Sequence, residues 1–211
     1  SWKQLGDIIS ELETFGIADI NSILMQYMYY IRTINHETIS DTGAVNVTTP
    51  GLRRYFTEIN KGPISDPLKM CTDMIKLSKI WKKVSDYPQI KVLLKFNENS
   101  KLFLASYFFR FNEEDITAEI VEPIVDCLLR LFSLLELGDA GYSSKYFKTF
   151  LFKEEAKFSD ETIPVEEIKT DFYQHIISNW DYDTIDAALH DYDGNALVYL
   201  NEYLFAKETA V

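Results

Sequence analysis

Apolar residues recur every three or four positions along almost every long segment of this chain, and that period constrains the fold most. Such spacing places side chains on one face of an α-helix. The first clear stripe begins near Ile17 and contains Ile20, Ile23, Leu24, Tyr27, Met28, Ile31 and Ile34. No segment gives a clear strand. We therefore predict an all-α protein, an irregular multi-helix bundle of roughly nine or ten helices.

Capping residues and prolines predict where these helices begin and end. Asp19 lies at the start of the first stripe, and the polar residues 35–49 are predicted to form a loop. Three later segments are expected to open on a cap or a proline: Thr49-Pro50, Ser65-Asp66-Pro67 and Pro164 with Glu166 and Glu167 in its first turn. Further predicted boundaries are Asn60–Pro63 as a stop, Ser143 or Ser144 as a start, Asp183 as a cap, and Asp193 or Asn195 as the last cap. The last helix is predicted to point Leu197, Leu200, Tyr203 and Leu204 inward.

Two segments in the middle of the chain have distinctive patterns. Residues 102–111 are apolar nearly all round, which predicts a helix at the centre of the bundle. A strand is the competing interpretation, although the segment lacks alternation and contains Ala105. The following helix is predicted from about Thr117 to Leu137, with Gly138 after its end. Pro123 either kinks this helix or marks where its regular part begins.

Composition narrows the class of protein. The chain has 211 residues, of which 46% are apolar, and no apolar run approaches the length of a membrane span. The start at Ser1 indicates a processed chain or a fragment of a longer one. Two cysteines, Cys71 and Cys127, favour buried free thiols in a reducing cytoplasm over a disulfide scaffold. We expect a single cytoplasmic helical domain over residues 1–211, with a sub-boundary near residues 112–116.

Charge is distributed unevenly along the chain. The net charge is −12, but residues 50–101 contain 11 basic and 5 acidic side chains and lie between two acidic segments. The acidic surface as a whole is expected to repel nucleic acid and anionic membranes. The basic segment indicates docking within the chain or onto a partner. A solvated helix face is the alternative explanation.

The search for chemical motifs is mostly negative. The sequence contains no phosphate-binding glycine loop, no zinc-binding pattern and no GxSxG, and its three histidines lie in three different segments. Residues 191–202 place carboxylates or amides at four positions of a calcium loop. However, Ala196 stands where such a loop needs glycine, so a helix–turn–helix junction is predicted there. We predict no catalytic residue, no metal and no cofactor.

Several stretches resemble one large bacterial family. The residues that carry the resemblance are 19–30, Gly51-Leu-Arg-Arg-Tyr-Phe56, 121–137 with 143–150, and above all 195–208. They are similar to the helical middle of proteins that pair a ParB-like domain, carrying an Asp-Gly-Gln-Gln-Arg motif, with a His-Asn-His-type nuclease domain. The GmrSD-type modification-dependent restriction enzymes belong to this family.

The resemblance implies a non-catalytic connector in a restriction-type, anti-phage nuclease, because the Asp-Gly-Gln-Gln-Arg motif is not in this sequence. The connector would space a nucleotide-sensing domain from the nuclease, with flanking domains or a partner protein as its contacts. Weak DNA contact would fall on the basic side chains Arg53, Arg54, Lys69, Lys76, Lys79 and Lys83. Two alternatives remain open: an interaction module unrelated to restriction, and a helical enzyme with a composite site in a deep polar pocket.

Overall fold

The computed structural model describes residues 1–97, 100–137 and 145–209. The described chain is all-α and contains no strand, only a single antiparallel bridge between Ile39 and Val45. Its twelve helices are α1 (Trp2–Thr14), α2 (Ile20–Ile34), α3 (Leu52–Arg54), α4 (Gly62–Ser65), α5 (Pro67–Val84), α6 (Pro88–Phe96), α7 (Ser100–Phe109), α8 (Ala118–Leu137), α9 (Phe150–Phe158), α10 (Val165–Asn179), α11 (Tyr182–Asp191) and α12 (Ala196–Thr209). The all-α prediction is confirmed, and the count of nine or ten helices is too low.

Two helices organise the packing. α7 contacts α2, α5, α6 and α9, and α8 contacts α6, α10, α11 and α12. Most of α7 is buried, so its prediction as a central helix is confirmed. Aromatic rings fill the space around it; Tyr30 and Phe109 stack with their centroids 4.1 Å apart, and Phe103 meets Phe152 edge-on at 5.8 Å.

Several predicted helix starts are confirmed by side-chain caps. The Asp19 carboxylate accepts a hydrogen bond from the Ser22 amide at 2.7 Å, and the Asp66 carboxylate accepts one from Lys69 at 3.0 Å. Pro67 then occupies the first turn of α5. These caps satisfy backbone N–H groups that have no partner within the helix.

Other predicted boundaries are wrong. Gly51, not Thr49 or Pro50, precedes α3, because the Thr49 hydroxyl is hydrogen-bonded to the Tyr29 hydroxyl at 2.7 Å. Asp181 instead of Asp183 caps α11, accepting from the Thr184 amide at 2.9 Å.

Further differences concern whole segments. α1 and α4 were not predicted, and residues Tyr55–Ile59 form a π-helical turn. α8 begins at Ala118 and continues through Pro123. The predicted boundaries at Gly138 and at Ser143 or Ser144 lie outside the described residues. The helix–turn–helix junction between α11 and α12 is confirmed. No helix of the described part combines the length and apolar character needed to cross a bilayer.

Candidate interaction groove on the carboxy-terminal helices

The last three helices leave much of their apolar surface in solvent. In α10 only Ile168 and Phe172 are buried, and α11 has no buried residue. Large apolar side chains exposed on these helices are Tyr173, Ile177, Tyr182, Leu189, Leu197, Val198, Leu204 and Phe205. Exposed apolar side chains that adjoin one another mark interaction sites in soluble proteins.

One face of α12 fixes it to the rest of the molecule. The Tyr199 ring meets Phe96 edge-on with centroids 5.2 Å apart, and Glu202 forms an ion pair with Lys95. Lys207 pairs with Asp126 of α8 at 3.0 Å. The apolar residues on the other faces of α12 are therefore exposed to solvent. Leu197 and Leu204, which the sequence pattern predicts to point inward, are exposed.

A groove runs along α8 between α10 and α12. Its volume is about 960 Å³, and its lining extends along α8 from Glu119 to Leu134, which at 1.5 Å per residue is about 22 Å. The apolar residues that line it are Pro123, Cys127, Leu134, Phe172, Tyr173, Ile176 and Leu200. The groove therefore has the length and the apolar walls that a helix of about four turns requires.

The groove is lined by charged side chains of both signs: Arg130 and Lys169 are basic, and the end at the amino-terminal turns of α8 is acidic. Glu119 and Glu122 line it on the amino-terminal turns of α8 and form no ion pair with the described part of the chain. Asp126 and Glu166 also line it, but both pair with lysines. Burial, with a smaller contribution from Asp126, raises the pKa of the Cys127 thiol to about 12. That thiol is therefore neutral near pH 7.

Two acidic side chains are buried away from this groove. Glu155 of α9 is 0% exposed and accepts a hydrogen bond from the Ser106 hydroxyl at 2.8 Å. Burial raises its pKa to about 8, and burial with nearby Asp171 raises the pKa of Glu154 to about 7. A composite enzyme site needs titratable groups that substrate can reach. Glu155 is sealed from solvent in this structure.

The predicted nucleic-acid-binding residues are divided between two helices. Arg53 and Arg54 are exposed on α3, and Arg54 pairs with Glu58 at 3.6 Å. The four lysines lie along α5, and each has an acceptor in this chain. Lys69 pairs with Asp73 at 2.6 Å, Lys76 donates to the Phe109 carbonyl at 2.7 Å, Lys79 pairs with Glu113 at 3.8 Å, and Lys83 donates to the Glu114 carbonyl at 3.4 Å. DNA contact by these six residues stays a prediction.

Ion pairs connect the basic segment to both acidic segments. Lys82 pairs with Glu11 at 2.7 Å, and Lys79 and Lys95 pair with Glu113 and Glu202. Contacts within the chain thus account for part of the uneven charge. The exposed pairs contribute little stability, because solvent screens them.

Metal-ligating side chains are not clustered in the described ranges. No three His, Cys, Asp or Glu side chains among them are arranged to hold a metal ion. His175 stacks on Phe150 with ring centroids 3.8 Å apart, as expected of a packing residue.

The sequence signal for the groove was present but ambiguous. Apolar residues are spread around α12 among Asn201, Glu202, Lys207 and Glu208, and this pattern does not indicate which face is buried or against what. Comparisons of the chain with protein-family models, with curated proteins and with solved structures find no match.

Proposed function

We propose that this chain is a non-catalytic helical scaffold that docks a second folded domain through the groove between α10 and α12. The observation that carries the proposal is the set of apolar side chains that line this groove, among them Tyr173, Ile176 and Leu200. Burying them against a partner gains roughly 25 cal/mol for each Å² removed from water.

The charges around the groove define its occupant as a basic amphipathic helix. Residues 165–209 contain ten acidic and two basic side chains, and Glu119 and Glu122 add two carboxylates at one end of the groove. A helix with apolar residues at spacings of three and four would pack its apolar stripe on Tyr173 and Leu200. Its lysines or arginines would lie at the end near Glu119, which fixes its direction.

A connector in a restriction-type nuclease is the specific form of this proposal. In that role the docked helix belongs to one of the two domains that the connector separates. The support for this form is the sequence resemblance of residues 19–30, 51–56, 121–137, 143–150 and 195–208. An interaction module outside restriction uses the same groove in the same way, and the full-length reading frame distinguishes the two.

The proposal is tested by fluorescence anisotropy with a designed helical peptide of about 16 residues, the length of the groove floor. The peptide carries leucines at spacings of three and four and lysines at one end. We expect saturable binding that Tyr173→Lys weakens at least about tenfold, because it places a charge on an apolar contact. Tyr182→Lys on α11 is the matched control, since Tyr182 is exposed but does not line the groove.

A charge exchange tests the direction of the helix. The double variant Glu119→Lys with Glu122→Lys is expected to lose the basic peptide and to bind a peptide with glutamates in place of the lysines. Binding that is unaffected by the double substitution and by the change of peptide contradicts the proposed occupant. Self-association of the protein through Tyr173 contradicts it as well. DNA cleavage by the purified chain with a divalent metal, lost on substitution of its own residues, contradicts the non-catalytic role.

A further inference from the structure

An arginine, Arg32, is buried on α2, outside the groove between α10 and α12. The Arg32 side chain is 2% exposed, and its guanidinium carbon lies 5.8 Å from the Tyr29 ring centroid and 5.7 Å from that of Phe152. Nη2 donates to the Thr48 carbonyl at 2.9 Å and, at 3.4 Å, to that of Asn46. Nη1 is buried and has no hydrogen-bond partner among the described residues.

The Arg32 guanidinium also forms no ion pair among the described residues, since no carboxylate there lies within ion-pair distance of it. The Glu155 carboxyl interacts electrostatically with the Arg32 guanidinium, but burial raises the pKa of that carboxyl to about 8. Glu155 is therefore mostly protonated at neutral pH. A buried arginine without a compensating anion is costly, and such groups persist where something else supplies the negative charge.

A cavity opens beside Arg32. It has a volume of about 340 Å³ and lies between the carboxy-terminal end of α2, the loop of residues 46–51 and the turn that follows α3. Arg54 also lines it, and its guanidinium is available because its ion pair with Glu58, at 3.6 Å, is exposed to solvent. Two arginines thus line one small cavity.

Glu37 is the third charged side chain that lines the cavity, beside the polar residues Asn46, Thr48, Thr49 and Tyr55. Its Oε1 accepts hydrogen bonds from the Tyr55 hydroxyl at 3.0 Å, from Asn60 at 3.2 Å and from Asn35 at 3.3 Å. These three bonds hold the carboxylate in place and leave Oε2 as an acceptor. A ligand of the cavity therefore meets two positive charges and the single negative charge of Glu37, which favours an anion that also carries a hydroxyl or amino donor for that carboxylate.

The backbone around the cavity departs from regular geometry. Residues Tyr55–Ile59 form a π-helical turn, and Tyr55 and Ile59 both line the cavity. His36, directly before Glu37, has a φ of 56°, which is uncommon for any residue except glycine. π-helical turns and strained residues recur at binding sites, where the surrounding structure maintains them for function.

We propose that this cavity binds a small molecule bearing an oxyanion, a phosphate monoester or a carboxylate, between Arg32 and Arg54, with a ligand hydroxyl or amino group donating to Glu37. The planar guanidinium groups provide the paired donors that such oxyanions accept. A cavity of about 340 Å³ exceeds the size of a lone phosphate ion and accommodates a molecule of the size of a sugar phosphate. The site does not depend on the groove between α10 and α12.

Isothermal titration calorimetry with inorganic phosphate, glucose 6-phosphate and citrate tests the proposal. We expect saturable binding, with the sugar phosphate or citrate tighter than inorganic phosphate because each carries a hydroxyl outside the oxyanion that can reach Glu37 while the oxyanion contacts the arginines. Arg54→Gln is expected to weaken binding about tenfold, the effect of removing one charge-assisted hydrogen bond. Preference for glucose 6-phosphate or for citrate identifies the class of oxyanion.

Arg53→Gln is the matched control, because Arg53 is an equally exposed neighbour that does not line the cavity. This variant is expected to bind as the unchanged protein does. Arg32→Met, verified as folded by circular dichroism, is expected to abolish binding. Absence of saturable binding for all three probes, or equal weakening by Arg53→Gln and Arg54→Gln, overturns the proposal.

Discussion

α7 and α12 both carry apolar residues around most of their circumference, yet they differ in how much of that surface is buried. α7 lies between α2, α5, α6 and α9, and Phe103, Leu104, Tyr107 and Phe108 are at most 3% exposed. α12 packs mainly on α6 and α8, and Phe205 remains 67% exposed. An apolar sequence therefore predicts that a helix will be buried. The number of neighbouring helices determines whether it is buried within this chain.

The same contrast holds between α8 and α10. Ten residues of α8 are buried, while α10 buries two. α8 is thus the shared boundary of the two regions: one side of it belongs to the closed core, and the other forms the floor of the open groove. The experiments below compare these regions, beginning with the largest expected effect.

Matched leucine truncations separate the core from the carboxy-terminal surface. Leu128→Ala in α8 is expected to lower the free energy of unfolding by about 3–5 kcal/mol, because it leaves a cavity in packed surroundings. Leu204→Ala in α12 is expected to change it by less than about 0.5 kcal/mol, since Leu204 is 57% exposed. Urea denaturation measures both. Equal losses would mean that α12 is part of the closed core.

Glu155→Gln tests the buried carboxyl of the core through pH. The folded-state pKa of about 8 lies above that of an unfolded glutamate, near 4.5, so the folded state holds a proton that the unfolded state releases. Stability is therefore expected to fall as pH rises from about 5 to 8, by about 1 kcal/mol per pH unit for one proton. Glu154, with its pKa raised to about 7, adds to the same trend.

The glutamine variant has no proton to lose at this position, so its stability is expected to decline less steeply over that range. Denaturation at a series of pH values gives the two slopes. Glu58→Gln is the control, because the Glu58 side chain is 69% exposed. If the Glu155→Gln and unchanged proteins have identical slopes, Glu155 is ionised in the folded state at neutral pH.

Lys79→Ala has the smallest expected effect and concerns the surface outside both regions. Its ion pair with Glu113, at 3.8 Å and partly exposed, is expected to contribute less than about 0.5 kcal/mol to stability. DNA binding at several salt concentrations provides the second measurement. If Lys79 contacts a phosphate, its removal reduces the salt slope by about 0.9; an unchanged slope removes it from the predicted DNA-binding set.

The sequence predicted best where local chemistry decides the structure. Asp19 and Asp66 were identified as helix starts because a carboxylate one position before an apolar stripe satisfies backbone donors in the first turn. The same reasoning gives a wrong helix start at Thr49. The Thr49 hydroxyl is hydrogen-bonded to the hydroxyl of Tyr29, which lies 20 residues earlier in the sequence. α1 was missed because Gly6 interrupts a short stripe in which only Leu5, Ile9 and Leu12 are buried.

The candidate sites were less predictable than the helices. The groove depends on which helices flank α8, and no spacing along the chain specifies that arrangement. Leu197 and Leu204 were expected to point inward because their period is helical, but periodicity does not reveal a missing neighbour. The Arg32 cavity likewise joins residues from 32 to 59 that come together only when loop 46–51 folds back over α2.

The two free thiols follow the division between closed and open regions. Cys71 is buried on α5 within the core, and Cys127 lies in the floor of the groove. An alkylating reagent reaches Cys71 only when the core opens, whereas Cys127 is 8% exposed and borders the groove. Mass spectrometry of the modified peptides therefore measures two alkylation rates in a single sample. The rate at Cys71 reports unfolding of the interior, and the rate at Cys127 reports access to the groove floor.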